Sequence, residues 1–292
     1  MLKFAASYRI LLRMPVCSGP PGSRRETSMR HVAAVLVVGP ADPTSAAGVT
    51  ADVLTIASQG AYPLSVVSEM CLRDTAQFDA RIALDPELVL EQARMILEDA
   101  PVAAIKLTLP GSVDMVVALA GLVSDYGNVP LVIEAPSLIL NEDDTDDSPL
   151  SAAIELLLPQ AAVLVGDVAV CRRLVSSAFE GDESQLSVED LGAALCATGA
   201  DHVLLLGGAA GVQVVHVLHG SSGVVRRDVF ERASVPVLGL ASSASAALAA
   251  SLAEGLGVPA AVQAALRCAH AAEGRHFRLG MGTAVPGRGT RK

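Results

Sequence analysis

The sequence predicts a three-layer α/β/α fold with a mainly parallel central sheet and an antiparallel hairpin at one edge. Three observations carry this. Short aliphatic runs such as "VAAVLVVG" (32–39), "VAAIKLTL" (102–109) and "VPLVIEA" (129–135) are apolar almost throughout, as strands buried on both faces require. Each is followed by a helical stretch, and strand–helix alternation implies parallel crossovers with helices on both sides. Late in the chain, "VQVVHVLHG" and "GVVRRDVF" flank a Ser-Ser-Gly turn and alternate as an antiparallel pair does.

In chain order, the first strand (32–39) leads to the helix "AAGVTADVLTIASQ" (46–59) and the strand "AYPLSVVSE" (61–69). The amphipathic helix "PELVLEQARMILED" (86–99) precedes the strand 102–109, and "SVDMVVALAGLVSDYG" (112–127) precedes the strand 129–135. After an acidic loop come the helix "PLSAAIELLLP" (149–159), the strand "AAVLVGD" (161–167) and two helices over about 168–198. "HVLLLGG" (202–208) and the hairpin follow. "VLGLASSASAALAASLAEGLG" (237–257) reads as a strand, a glycine turn and a long small-residue helix. "PAAVQAALRCAHAAEG" (259–274) is the last helix.

Composition bounds the function. Apolar residues are 51% of the 292-residue chain and aromatics 3%, so the core must be built of Ala, Val and Leu. The formal net charge is −10, which argues against nucleic acid, a partner that demands basic stripes and stacking rings. No run reaches the roughly 18 apolar residues of a membrane span. The five cysteines (Cys17, Cys71, Cys171, Cys196, Cys268) form no CxxC pair, which points to a reducing cytosol and to neither disulfides nor zinc. Residues 1–28 are basic and linker-like, with Lys3, Arg9, Arg13, Arg24 and Arg25 against Glu26. They read as a disordered leader before a single domain, 29–292. "NEDDTDD" (141–147) lacks an EF-hand register and reads as a solvated loop. His216 and His219 face opposite sides of a strand, and His202, His270 and His276 have no partner motif.

Ligands of such sheets sit beyond the carboxyl ends of the strands. There lie "GPADPTSAAG", "LTLPGS", "EAPS", "GDVAV", "GGAAG" and "GLASS". The stretch "ADPTSAAGVTADVLTIASQGAYPLSVVSEM" (41–70) combines an Asp-Pro turn, a Gly-x-x-Ala-Asp helix start and Gly-Ala-Tyr at fixed spacing. With "SASAALAASLAEGL" (243–256) and "LGMGTAVPG" (279–287), it resembles the hydroxymethylpyrimidine and hydroxymethylpyrimidine-phosphate kinases of thiamine synthesis. These belong to the ribokinase-like superfamily, and the resemblance spans about 35–286.

The resemblance implies ATP-dependent phosphorylation with Mg²⁺, a cytoplasmic homodimer and a pyrimidine-like small-molecule ligand. It places Asp52 at the pyrimidine, where a carboxylate can accept from an amino group; the alternative is a helix-surface acid. Arg73 replaces a glutamine that reads the ring, and either meets an anionic ligand or pairs with Asp74 or Asp52. Lys106 and Leu109 fall on the family's "KIGML" segment, Leu109 standing for a methionine against the ring. The turn Gly239, Leu240, Ala241, Ser242 replaces the family's "GTGC": Gly239 and Ala241 keep backbone donors for an anion at a helix N-terminus. Ser242 replaces the cysteine base. A serine needs a neighbouring base to act so, and none is evident in the sequence; the alternative role is N-cap of the helix. Glu134 and Asp167 stand at the metal positions, where a second carboxylate of the family is missing. Gly207 and Gly208 remain at the nucleotide site, but Leu206 replaces its lysine. Transfer is therefore expected to be weakened, and the alternative is a pseudokinase that binds a pyrimidine-like or anionic molecule without turnover.

Overall fold

A computed structural model describes residues 32–137, 148–176 and 186–289. The leader and the "NEDDTDD" loop lie outside them. Nine strands form one sheet: β1 (Ala34–Ala41), β2 (Tyr62–Arg73), β3 (Phe78–Ala83), β4 (Val102–Thr108), β5 (Leu131–Glu134), β6 (Val163–Asp167), β7 (His202–Ala210), β8 (Gln213–Gly220) and β9 (Gly223–Glu231). Their order is β3-β2-β1-β4-β5-β6-β7-β8-β9. The six strands from β2 to β7 in that order run parallel, while β3, β8 and β9 pair antiparallel.

Strand alternation sorts the core into two layers. Leu36, Ile105, Leu107, Ile133, Leu164 and Leu205 meet helices α2 (Pro86–Asp99), α3 (Val113–Ser124), α4 (Pro149–Leu156), α5 (Val168–Ser176) and α6 (Val188–Ala197). Val35, Val37, Ala104, Val132, Val165 and Leu204 meet α1 (Gly48–Ser58), α7 (Leu240–Ala253) and α8 (Val258–Gly274). By the same parity Lys106 and Glu134 share the α1/α7/α8 face. The register sets Lys106 opposite both Val37 and Val132, and Thr108 opposite Glu134. Every residue of α7 from Ser242 to Ser251 is buried. Its alanines and serines let the helix lie close on the strand ends, where a larger side chain would hold it off.

Local chemistry explains four of the helix starts. Asp85 accepts from the Glu87 and Leu88 amides ahead of Pro86, Ser112 caps α3, Ser148 caps α4, and Ser187 with Asp190 forms a capping box on α6. Three sequence expectations are corrected. A second antiparallel edge, β3, exists because β2 runs on to Arg73 and turns at Asp74, whose carboxylate accepts from the Ala76 and Gln77 amides. Val237 and Leu238 make no sheet strand, only a bridge to Ala284. Ser242 is not the N-cap of α7; that residue is Gly239. Among the described residues no helix is long and apolar enough to cross a membrane.

Candidate active site

A buried polar cluster sits at the carboxyl ends of β4 and β5, under the first turn of α7. Lys106 Nζ donates to Asp52 Oδ2 at 2.7 Å and to Thr108 Oγ1 at 2.7 Å, and it also donates to Glu134 Oε2. Ser242 Oγ donates to Glu134 Oε1 at 2.6 Å, and Ser245 Oγ to Glu134 Oε2 at 3.4 Å. Lys106, Asp52, Glu134 and Ser242 are all buried. Asp52 arrives from α1, so the cluster ties both helices to the sheet. Asp52 Oδ1 has no hydrogen-bond partner among the described residues.

One ammonium serves two carboxylates here, and they divide it unequally. Burial acts to raise Glu134, but the Lys106 charge and the hydrogen bonds from Lys106, Ser242 and Ser245 hold it below the usual carboxylate range. Burial pushes Asp52 up to about 7 against the pull of Lys106, and repulsion from Glu134 adds to the rise. Burial also acts to lower Lys106, yet the two carboxylates carry it above its ordinary value. A raised acid contributes stability that is present below its unfolded value, near 3.8, and is lost as pH climbs through about 7. Denaturant titrations from pH 4 to pH 8 should thus show wild type losing stability relative to Asp52→Asn. Parallel curves would contradict the assignment.

The first turn of α7 leaves backbone donors free of helical acceptors. The Leu240, Ala241 and Ser242 amides have no carbonyl four residues back within the helix, whose first residue is Leu240. Gly239 has φ 76°, and a Cβ there would lie 1.8 Å from the Ala46 carbonyl oxygen. Glycine is required at that contact. The facing loop is wound on Asp42, whose carboxylate accepts from the Thr44 amide at 2.8 Å, the Thr44 hydroxyl at 2.7 Å and the Ala47 amide at 3.2 Å. Beside this loop is a cleft of about 840 Å³ walled by Thr44, Ser45, Leu54, Phe277, Leu279 and Arg288.

The other expected residues lie outside this cluster. Arg73 pairs with neither Asp52 nor the Asp74 carboxylate: it lies 3.7 Å from Asp42 and donates to the Asp74 carbonyl at 3.1 Å. Leu109 is buried with Ile105 and Leu107 in the core on the other sheet face, which sets it apart from Lys106 and Glu134. Asp167 ends β6 partly exposed, and burial, then the Glu134 charge, raises it to about 6. The Gly207 amide donates to His216 Nδ1 at 3.2 Å. His216 Nε2 lies 2.7 Å from His270 Nε2, and His270 Nδ1 lies 2.9 Å from Glu273 Oε2. With Gly207 donating to Nδ1, His216 carries its proton on Nε2, and the chain runs on to Glu273 as a line of donors. The sequence held no signal for this histidine pair, which joins β8 to α8.

A model of the phosphomethylpyrimidine kinases matches residues 42–286. The chain belongs to that family. The hydroxymethylpyrimidine/phosphomethylpyrimidine kinase of Rhizobium meliloti is 28% identical over 253 residues, 86% of this chain and 94% of that relative. The pyridoxal kinase of Bacillus subtilis, solved with ADP, superposes with TM-score 0.75 at 22% identity, over 88% of this chain and 97% of that one. The phosphomethylpyrimidine kinase of Clostridium difficile gives 0.65 at 21% identity, over 80% and 97%. These likenesses confirm the ribokinase-like fold. Lys106, Asp52, Glu134 and Ser242 form one connected unit beneath the first turn of α7.

The metal expectation divides on the same geometry. Both Glu134 oxygens accept protein hydrogen bonds, and the Lys106 ammonium beside them repels a dication, so Glu134 does not fit Mg²⁺. Asp167 fits better, as a single carboxylate at the open end of the sheet. Among the described residues, no three His, Cys, Asp or Glu groups form a metal cage.

Proposed function

We propose that this chain is an ATP-dependent kinase that phosphorylates the hydroxymethyl group of hydroxymethylpyrimidine or its phosphate, in thiamine-precursor metabolism. The observation that carries the reading is Ser242, which stands on the anion-binding turn of a family member with its hydroxyl on the Glu134 carboxylate. The sequence shows no base beside this serine; the Glu134 carboxylate from β5, which accepts its hydroxyl, supports that role.

In the transfer, the substrate hydroxyl oxygen forms the new P–O bond as the bond to the ADP oxygen breaks. Ser242 Oγ takes the hydroxyl proton while its own proton passes to Glu134, so the pair works as a relay. The Leu240, Ala241 and Ser242 amides receive the charge of the moving phosphoryl group. Asp52 Oδ1 is the acceptor left for an aminopyrimidine edge. Asp167 would hold Mg²⁺, which neutralises phosphate charge when bound. Because Lys106 keeps Glu134 acidic, the relay base is weak, and transfer slower than the roughly 1–100 per second of typical kinases is expected.

Calorimetry with Mg-ATP and with hydroxymethylpyrimidine separately, then a coupled ADP-release assay with both, tests the reading. Binding of each with ADP release supports it. Binding of the ring alone would instead make the chain a sensor, and binding of neither would overturn both.

A further inference from the structure

Arg288 lies beyond residue 286, where the family match ends, yet it is only 7% exposed. Its Nε donates to Ser243 Oγ at 3.0 Å and its Nη1 to the Ser45 carbonyl at 2.7 Å. Its Nη2 donates to the Ala46 carbonyl at 2.7 Å and the Gly239 carbonyl at 3.0 Å. Three segments far apart in sequence meet on this one planar fork: the tail, the loop after β1 and the turn of α7. The contact is tight, since a Cβ on Gly239 would come within 2.7 Å of Arg288 Nη2.

All four acceptors are neutral. Among the described residues Arg288 makes no ion pair; the carboxylates of Asp52, Glu134 and Asp42 act on it only from farther off. A buried guanidinium without a counter-ion is costly. Among the described residues four of its five N–H groups are used, which leaves one on Nη1. It lies against the same turn whose Leu240, Ala241 and Ser242 amides have no helical acceptor. Arg288 thus brings a charge with no ion-pair partner among the described residues to the turn that carries those amides, and an anion held there would complement both.

We propose that Arg288 is a positioning residue for the phosphoryl end of the reaction: it pins the Asp42–Ala47 loop to the α7 turn and brings to that turn a positive charge with no ion-pair partner among the described residues. This rests on the kinase reading of the site and adds to it a residue from outside the family match.

Arg288→Gln keeps donors and removes the charge; Arg288→Lys keeps the charge and loses the fork. Calorimetric titration of the full chain with pyrophosphate should show binding weakened at least about tenfold in Arg288→Gln and less in Arg288→Lys. In turnover assays the KM for Mg-ATP should rise in the same order while kcat changes less. A purely structural pin would favour neither variant's anion affinity over the other's. Hydrogen exchange of the wild type keeps the question open to test if a variant fails to fold: pyrophosphate should slow the amides of residues 240–242. Wild-type affinity in both variants, or no pyrophosphate binding by the wild type, would overturn the proposal. A wild type that binds pyrophosphate but releases no ADP defeats the kinase reading, while the difference between the two variants still decides whether Arg288 supports the anion.

Discussion

Lys106→Met should destabilise the protein by about 3–5 kcal/mol at neutral pH, the range seen when one partner of a buried ion pair is removed. Methionine fills much of the same volume, so the loss is electrostatic rather than a cavity. Without the ammonium, Asp52 and Glu134 remain buried on one face of the sheet, with no cation among the described residues within hydrogen-bonding reach of either. Each must then take up a proton or carry its charge unpaired. The sign with pH follows: acidification protonates the orphaned carboxylates and should recover much of the lost stability, so variant and wild type converge towards pH 5. Adding Asp52→Asn to Lys106→Met should restore part of the stability at pH 7, since only one uncompensated acid then remains. Guanidinium denaturation at pH 5 and pH 8 measures both effects. A loss below about 1 kcal/mol at pH 8 would show that the pair is compensated by something other than Lys106.

Much of this architecture is legible in the chain, for a physical reason. Strands buried on both faces must be apolar at every position, so β1, β4, β5 and β6 announce themselves, and small residues mark α7 as a helix pressed against neighbours. The same logic held a signal that went unused. Lys106 interrupts a run that is otherwise apolar to Leu107, and a lysine with both strand neighbours buried must meet carboxylates. Asp52 and Glu134 are each legible as site residues, but their bond through Lys106 is not, because it joins residues 54 and 28 positions apart. The β3 edge leaves no apolar signature, since "FDARIA" is exposed or half-exposed along its length and lacks a core face. Arg288 gave no sign at all: in sequence it is one more cation in a Gly-rich tail, and only the fold brings it against residues 45, 46, 239 and 243.

Ser242→Ala should lower kcat by about 10²–10⁴, the usual worth of general-base assistance. The stability cost should be small, near the roughly 1 kcal/mol of one hydrogen bond, because Glu134 keeps Lys106 and Ser245 as donors. A large kinetic effect beside a small stability effect is the signature of a reacting group, and denaturation of the same samples separates the two. Ser242→Cys distinguishes a relay from a self-sufficient base. A thiol in the place of a hydroxyl 2.6 Å from a buried carboxylate is held protonated by that charge and by burial. The cysteine should therefore gain little over serine, even though the family places a cysteine at this position. Glu134→Gln should cost nearly as much in kcat as Ser242→Ala, and the double variant scarcely more, since groups acting in series are lost together. If Ser242→Ala stays within about threefold of wild type, proton removal runs through another route. If Ser242→Cys is instead much faster, the serine is the defect and Glu134 no help to it.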